Sequence, residues 1–163
     1  MKDPIISVVT ICYNSAATLD ETMQSVLSQD YAHIDYVVID GGSNDGTLSI
    51  IEKYKDQLGY FVSEKDKGIS DAFNKGVAAA KGQLIVMINS DDRLLPGALR
   101  KMADAYDGET DVYRGNVIII NPDTNFRGRE TPSMAFPLAP MTIRCAHQGT
   151  FITPQAYKKF GGY

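Results

Sequence analysis

Two adjacent carboxylates, Asp91 and Asp92, close a short apolar run, Leu84-Ile85-Val86-Met87-Ile88-Asn89-Ser90. A hard divalent cation takes oxygen ligands and keeps room for water and substrate phosphates, and a carboxylate pair at an open strand end offers both. Another carboxylate, Asp40, closes a second run, Asp35-Tyr36-Val37-Val38-Ile39, and leads into Gly41-Gly42-Ser43-Asn44-Asp45-Gly46. Glycines in such a loop permit positive φ and close approach of backbone to a ligand. A third run, residues 5–11, gives way to Cys12-Tyr13-Asn14-Ser15. A single carboxylate after a strand is usually a helix cap, and Asp91-Asp92 ahead of Leu94-Leu95-Pro96 suits that role, with Pro96 in a first turn. Three such carboxylates beside a glycine loop describe an acidic crevice able to hold a metal. Neither G-x-G-x-x-G nor G-x-x-x-x-G-K-[ST] occurs, which favours a metal-bridged nucleotide site without a P-loop over a dinucleotide enzyme or a P-loop NTPase.

For these groups to meet, their strands must be parallel and share one edge. The β-branched run 5–11 has the composition of a strand buried on both faces. Thr18-Leu19-Asp20-Glu21 has the form of a capping box, and Leu19, Met23, Val26 and Leu27 fall on one helical face. Gln29-Asp30-Tyr31 is expected to close that helix. Strand 35–40, helix 47–54, strand 60–63 and helix 70–81 follow, the last with Phe73, Val77 and Ala80 inward and Gly82 as its stop. The alternation β-α-β-α implies a parallel sheet with right-handed crossovers, open at the carboxyl ends of its strands, where ligands bind. Beyond Asp92 the expectations are a helix over 95–106, a strand over 111–120, a turn at Asn121-Pro122-Asp123 and a returning strand over 124–129. Residues 133–140 read as irregular and 148–152 as a strand. Thr153-Pro154 reads as the N-cap and first residue of a last helix.

The 163 residues carry 44% hydrophobic and 22% charged side chains and a formal charge of -4, the profile of one soluble domain that is not a general nucleic-acid binder. Cys12 and Cys145 lack metal-ligand spacing and read as reduced structural thiols in a reducing compartment. Met1-Lys2-Asp3-Pro4 leads straight into a strand, so no signal peptide is expected. No apolar run approaches the roughly 18 residues of a membrane span.

Four motifs, in order, resemble family 2 glycosyltransferases with the GT-A fold. They are Val9-Thr10-Ile11-Cys12-Tyr13-Asn14; Val38-Ile39-Asp40-Gly41-Gly42-Ser43-Asn44-Asp45-Gly46-Thr47; Glu64-Lys65-Asp66-Lys67-Gly68-Ile69-Ser70-Asp71-Ala72-Phe73-Asn74-Lys75-Gly76; and Asn89-Ser90-Asp91-Asp92. The third motif and the pair His147-Gln148 resemble bacterial enzymes that build capsule, exopolysaccharide or lipopolysaccharide. The resemblance implies a Rossmann-like, mostly parallel sheet flanked by helices, with a small antiparallel element in the last third. It implies a nucleotide-sugar donor, most often a UDP-sugar, Mg²⁺ or Mn²⁺, and a saccharide or lipid-linked acceptor. By motif, Thr10 and Tyr13 would line the base pocket and Asp40 would accept a hydrogen bond from the base. Asn14, Lys67 and Asp71 would face the donor. Asp92 would be the direct metal ligand, and Asp91 a ribose or sugar contact or a second ligand. His147 and Gln148 would lie on the acceptor side.

Family members invert at the anomeric carbon, with an Asp or Glu taking the acceptor proton. That base follows a Gly-Gly-aromatic turn, and here the turn is Gly161-Gly162-Tyr163. The expectation is therefore one GT-A domain, C-terminally truncated, with 1–92 binding the donor and 93–163 beginning the acceptor side. Its base would lie beyond Tyr163, with His147 as a substitute, and the chain alone would be weak or inactive in transfer. Arg127 and Arg129 read as solvated strand charges or as contacts for a phosphate or lipid-linked acceptor. A cytoplasmic location is expected, with peripheral association at the inner membrane face and self-association through exposed apolar surface as further readings. Two other functions remain open: a non-catalytic nucleotide-binding module, which turnover would separate, and a nucleotidyltransferase. The latter wants a glycine-rich basic loop after the first strand, and Cys12-Tyr13-Asn14-Ser15-Ala16-Ala17 has none.

Overall fold

The structure, a computed structural model, describes residues 3–121, 123–124, 126–131 and 147–163. In chain order the elements are β1 (Ile6–Cys12), α1 (Leu19–Leu27), β2 (Ile34–Asp40), α2 (Thr47–Tyr54), β3 (Tyr60–Ser63), α3 (Ile69–Ala79) and β4 (Leu84–Asn89). Then come α4 (Ala98–Ala105), β5 (Val112–Arg114), β6 (Val117–Asn121), β7 (Phe126–Glu130), β8 (Thr150–Ile152) and α5 (Pro154–Phe160). One sheet runs β3-β2-β1-β4-β8-β5, and β6-β7 form a separate ladder. The first four strands of that sheet are parallel. Strand β8 is antiparallel to both β4 and β5. The expected α/β sheet with an antiparallel element in its last third is what the chain forms.

Strand β1 lies between β2 and β4 and is buried along its whole length. Its alternate residues serve two cores. Ile6 and Val8 meet Leu19, Met23 and Val26 of α1, Ile51 of α2 and Leu99 of α4. Val9 and Ile11 meet Ala72 and Phe73 of α3. Helices therefore cover both faces, which is why the strands read as continuous apolar runs. Each fully buried Ile, Leu or Met contributes about 1.5–3 kcal/mol relative to exposure.

The amino edge of the sheet is locked by a buried polar knot. Ser7 Oγ donates to Asp35 Oδ2 (2.6 Å), and the amides of Lys81 and Gly82 donate to Asp35 Oδ2 and Ser7 Oγ at 2.9 and 2.8 Å. This knot fixes where the chain turns from α3 into β4, and so where β4 delivers its carboxylates at the other edge.

Several local expectations are corrected. Thr18 is the N-cap of α1 but its side chain caps nothing; Glu21 pairs with Arg93 instead. The Thr18 amide, which Glu21 would serve in a capping box, finds Ser15 O instead (3.1 Å), as does the Leu19 amide (3.0 Å). Helix α1 ends at Leu27, before Gln29. Helix α3 stops at Ala79, so Gly82 is no helix cap; a Cβ on it would meet Ile5 O and Ser7 N at 2.6 Å. Helix α4 starts only at Ala98, behind Gly97 at φ 74°, which leaves Asp91 and Asp92 outside any cap. Residues 111–120 do not form one strand. The chain leaves the main sheet after β5, where Gly115 N donates to Gly149 O (2.7 Å), and starts the hairpin at Val117. Residues 147–149 form a 3₁₀ turn ahead of β8. Thr153 does cap α5, accepting from the Ala156 amide, with Pro154 in the first turn. Residues 133–140 and Cys145 lie outside the described residues.

A Gly82→Ala chain must displace backbone rather than a flexible side chain. It is expected to lose about 2–3 kcal/mol of unfolding free energy in urea titration. A loss below about 0.5 kcal/mol, the size of an ordinary surface substitution, would contradict the packing described.

Candidate active site

Strands β1, β2 and β4 end side by side, so the loops after Cys12, Asp40 and Asn89 form one rim. Irregular backbone needs partners for its amides, and side-chain oxygens of neighbouring loops supply them. Asn14 stands in the left-handed region at φ 51°, which Asn tolerates better than most residues. Its amide donates to Ser43 Oγ (2.8 Å) and its Oδ1 accepts from the Asn44 amide (3.0 Å). Ser15 N donates to Thr47 Oγ1 (2.8 Å), and Ser15 Oγ bonds Ser90 Oγ (2.7 Å). Thr22 Oγ1 donates to Ser90 O (2.9 Å), tying α1 to the same loop. Asp45 accepts from Ala16 N and from the amide and hydroxyl of Thr47, and these bonds, the Thr47 hydroxyl first, hold its pKa below the ordinary carboxylate value.

These loops carry Asp91, exposed, and Asp92, half-buried, on the turn closed by Asp92 N to Asn89 O (3.1 Å). Gln148 Nε2 donates to Asp92 Oδ2 at 2.9 Å. The neighbouring His147 places Nε2 3.3 Å from Asn89 Oδ1 and its ring edge-on to Phe73 at 5.6 Å. The pair His147-Gln148 thus braces the end of β4, and Gln148 orients one oxygen of the expected metal ligand. Among the described residues no side chain bonds Asp91, and no three His, Cys, Asp or Glu groups gather as a metal centre. The donor set is two adjacent carboxylates. It fits Mg²⁺ or Mn²⁺ completed by substrate phosphate and water, and it does not fit an all-protein cage.

Other expectations divide. Tyr13 is 62% exposed beside the glycine loop, open to stacking. Thr10 is corrected: it is wholly buried, its hydroxyl 3.1 Å from Tyr36 Oη, because it lies inside β1 and two residues short of the strand's end. Asp40 is corrected as well. It is fully buried, and its oxygens accept from the Gly42 and Ser43 amides (3.1 and 3.0 Å), Ser43 Oγ (2.5 Å) and Ser63 Oγ (2.6 Å). A carboxylate so supplied shapes the glycine loop and has no free lone pair aimed at a ligand. Asn14 likewise serves as a tie between loops. Asp71 accepts from the Lys67 amide (3.1 Å) and pairs with Lys75 (3.1 Å), contacts that lower its pKa in that order. It braces the start of α3, while the Lys67 residue is exposed. Cys12 is buried and bonded at 3.7 Å to Asp40 Oδ1; burial first, then Asp40, pushes its thiol pKa up, so it is inert.

Two residues escaped the sequence reading. Asp66 rests against Gly41, where a Cβ would lie 2.6 Å from Asp66 Oδ2 and 3.4 Å from the Tyr13 ring. Its Oδ1 accepts from the Gly68 amide (2.9 Å). The carboxylate at the glycine loop is therefore delivered from the segment after β3, and the missing side chain of Gly41 makes its room. The signal was present as the middle acid of Glu64-Lys65-Asp66-Lys67-Gly68. Asn74 grips the backbone of Tyr163 through both amide atoms (3.0 and 2.9 Å), with the Tyr163 ring 4.7 Å from Phe73. Phe73 thereby has His147 and Tyr163 as neighbours along one wall of the rim.

A mostly parallel sheet with an antiparallel extension and carboxylates at its carboxyl edge is the GT-A architecture of nucleotide-sugar transferases. The chain belongs to glycosyl transferase family 2, whose family model matches residues 7–160. It is 32% identical over 98% of its length to an uncharacterised glycosyltransferase of Mycobacterium tuberculosis (strain H37Rv), and it spans 63% of that relative. It is 30% identical over 62% of its length to TuaG of Bacillus subtilis, a putative teichuronic acid biosynthesis glycosyltransferase, and spans 41% of it. Among solved structures, Staphylococcus aureus TarS 1-349 in complex with UDP-GlcNAc superposes with a TM-score of 0.60 at 29% identity, over 66% of this chain and 32% of that chain. The mannosyltransferase PcManGT of Pyrobaculum calidifontis, solved with GDP-Man and Mn²⁺, reaches 0.72 at 19% identity over 98% of this chain and 47% of its own, a likeness of fold.

The depressed pKa of Asp45 fixes the sign of a pH effect. A carboxylate held below its unfolded value stabilises the fold above that value, and the contribution is lost as pH falls through the folded pKa. The melting-temperature gap between the native chain and Asp45→Asn is expected to be widest at neutral pH and to narrow steadily below about pH 4. A gap independent of pH would show that the interlocked loops do not depend on this charge.

Proposed function

We propose that this chain carries the donor site of an inverting, metal-dependent glycosyltransferase that moves a sugar from a nucleotide-diphosphate sugar to a saccharide or lipid-linked acceptor. The observation that carries the reading is the Asp91-Asp92 pair at the rim, one carboxylate without a side-chain partner among the described residues and the other steadied by Gln148. In this reading Asp92 is the direct ligand of Mg²⁺ or Mn²⁺ and Asp91 is a ribose or sugar contact or a second ligand. The cation, when bound, supplies Lewis-acid stabilisation of the negative charge that grows on the departing diphosphate.

The remaining roles belong to the protein. Tyr13 offers its exposed ring to the base. Asp66, with Oδ1 held by Gly68, presents Oδ2 beside Tyr13 and accepts one N–H from the base edge, the duty the sequence assigned to Asp40. A single acceptor oxygen suits uracil, whose edge offers one ring N–H, and so favours a UDP-sugar. The likeness to TarS bound to UDP-GlcNAc supports the same donor class. The TuaG relative supports a role in polysaccharide biosynthesis.

Asp40, Asp45 and Asp71 are committed to loop structure, and His147 is engaged by Asn89 and Phe73. None of them is assigned the acceptor proton. Residues 93–163 are read as contributing to the acceptor side. No described helix is long and apolar enough to cross a membrane; a cytoplasmic enzyme working at the inner membrane face is part of the proposal.

Calorimetric titration of UDP in the presence of Mn²⁺ tests the site. Binding is expected with metal and not with chelator. Asp92→Ala is expected to weaken it at least about tenfold, and Gln148→Ala about tenfold or more through its hold on Asp92. Asp66→Asn is expected to weaken UDP by about tenfold, the cost of one hydrogen bond to a charged group. Binding indifferent to metal and to Asp92→Ala would overturn the reading.

A further inference from the structure

The β6–β7 hairpin stands apart from the main sheet and has two unlike faces. In its antiparallel register Ile118 pairs with Arg129 and Ile120 with Arg127, so these four side chains share one face. Val117, Ile119, Phe126, Gly128 and Glu130 share the other. That second face is turned inward at its base: Val117 lies so near Gly149 that a Cβ there would meet Cγ2 at 2.8 Å. Phe126 folds over Gly128, its Cε1 2.9 Å from where a Cβ would be. Beyond that base both faces are open, since Ile119 is 48% and Phe126 57% exposed on the second, and what sets the first face apart is its pair of cations. Ile118 is 49% and Ile120 58% exposed, and Arg127 and Arg129 are exposed beside them. The hairpin's acids sit elsewhere, Glu130 on the second face and Asp123 in the turn. A cationic, apolar face is thus set on a chain whose formal charge is -4.

We propose that the Ile118, Ile120, Arg127, Arg129 face is a membrane-docking surface for an anionic bilayer. It deepens the peripheral-association part of the proposed function by naming the surface, and it does not rest on the identity of the donor. Charge selects the occupant. A second copy packed on this face about a two-fold axis would set arginines against arginines, and a dry protein interface would strip water from two guanidiniums with no acid on the face to pair them. At a lipid surface the isoleucines enter the acyl boundary while the guanidiniums reach the phosphates. The placement suits a lipid-linked acceptor. The hairpin leaves the sheet at Gly115, which is bonded to Gly149, one residue from the Gln148 that holds Asp92.

The test is co-sedimentation of the chain with pure phosphatidylcholine vesicles and with vesicles containing about 30% phosphatidylglycerol. Binding is expected to the anionic vesicles alone, and to weaken as salt rises. I118S/I120S and R127Q/R129Q are each expected to lower the partition by about tenfold or more. The arginine pair keeps the apolar hairpin intact, and UDP titration of both variants verifies the donor site separately. No binding to anionic vesicles, equal binding to both compositions, or binding unchanged in either folded variant would overturn the proposal. So would a concentration-dependent dimer that I118S/I120S converts to monomer without any vesicle binding, which would assign the face to a second copy.

Discussion

The carboxyl edge of this sheet is three loops whose amides have few regular backbone partners. Left to themselves, such loops would leave polar groups unsatisfied or adopt many shapes. Asn14, Ser15, Ser43, Asp45, Thr47 and Ser90 settle this by bonding across from loop to loop. The rim is therefore held by short polar side chains, while the two apolar cores hold the strands beneath it. Everything at the rim depends on that interlock: the reach of Tyr13, the turn that displays Asp91, and the bond between Asp92 and Gln148. Its hydrogen bonds are charge-assisted at Asp40 and Asp45, which adds strength where no core is available.

The two edges of the sheet divide the work. At the amino edge Ser7, Asp35 and the Lys81 and Gly82 amides make a closed knot with nothing left for a ligand. At the carboxyl edge Asp40 is equally spent, yet its neighbours Asp66, Asp91 and Asp92 are not. A carboxylate's surroundings, more than its position after a strand, decide whether it builds structure or meets a ligand. The same contrast separates Thr10, sealed in β1, from Tyr13, three residues on and largely exposed.

The parallel sheet and the common edge of Asp40, Asp91 and Asp92 were legible because buried strands have a plain apolar signature and β-α-β units have one favoured hand. The same signature misled at 111–120. The run is β-prone at both ends but carries Gly115-Asn116 in its middle, a local break that the reading passed over, and there the Gly115 amide bonds Gly149 O and the chain divides between two sheets. Thr18 and Glu21 carried a local capping pattern that Ser15 and Arg93 displaced. Within the site, the motifs picked out Asp92, His147 and Gln148 separately, as a metal ligand and as acceptor-side residues. They could not show that Ser63 completes the set of bonds around Asp40, that Asp66 stands over Gly41, or that Gln148 bonds the carboxylate of Asp92, since each is a contact across 20 residues or more of chain.

The central claim is that Asp91 and Asp92 make an incomplete metal site that a diphosphate completes. Amide resonance broadening by Mn²⁺ in ¹H–¹⁵N spectra tests it most directly, because the ion erases signals near itself whether or not sugar is transferred. With UDP present, the account predicts selective loss around residues 12–15, 89–92 and 147–149, and little loss with Mn²⁺ alone. Broadening centred elsewhere, or equal broadening at Asp91 and Asp92 without the nucleotide, would contradict it.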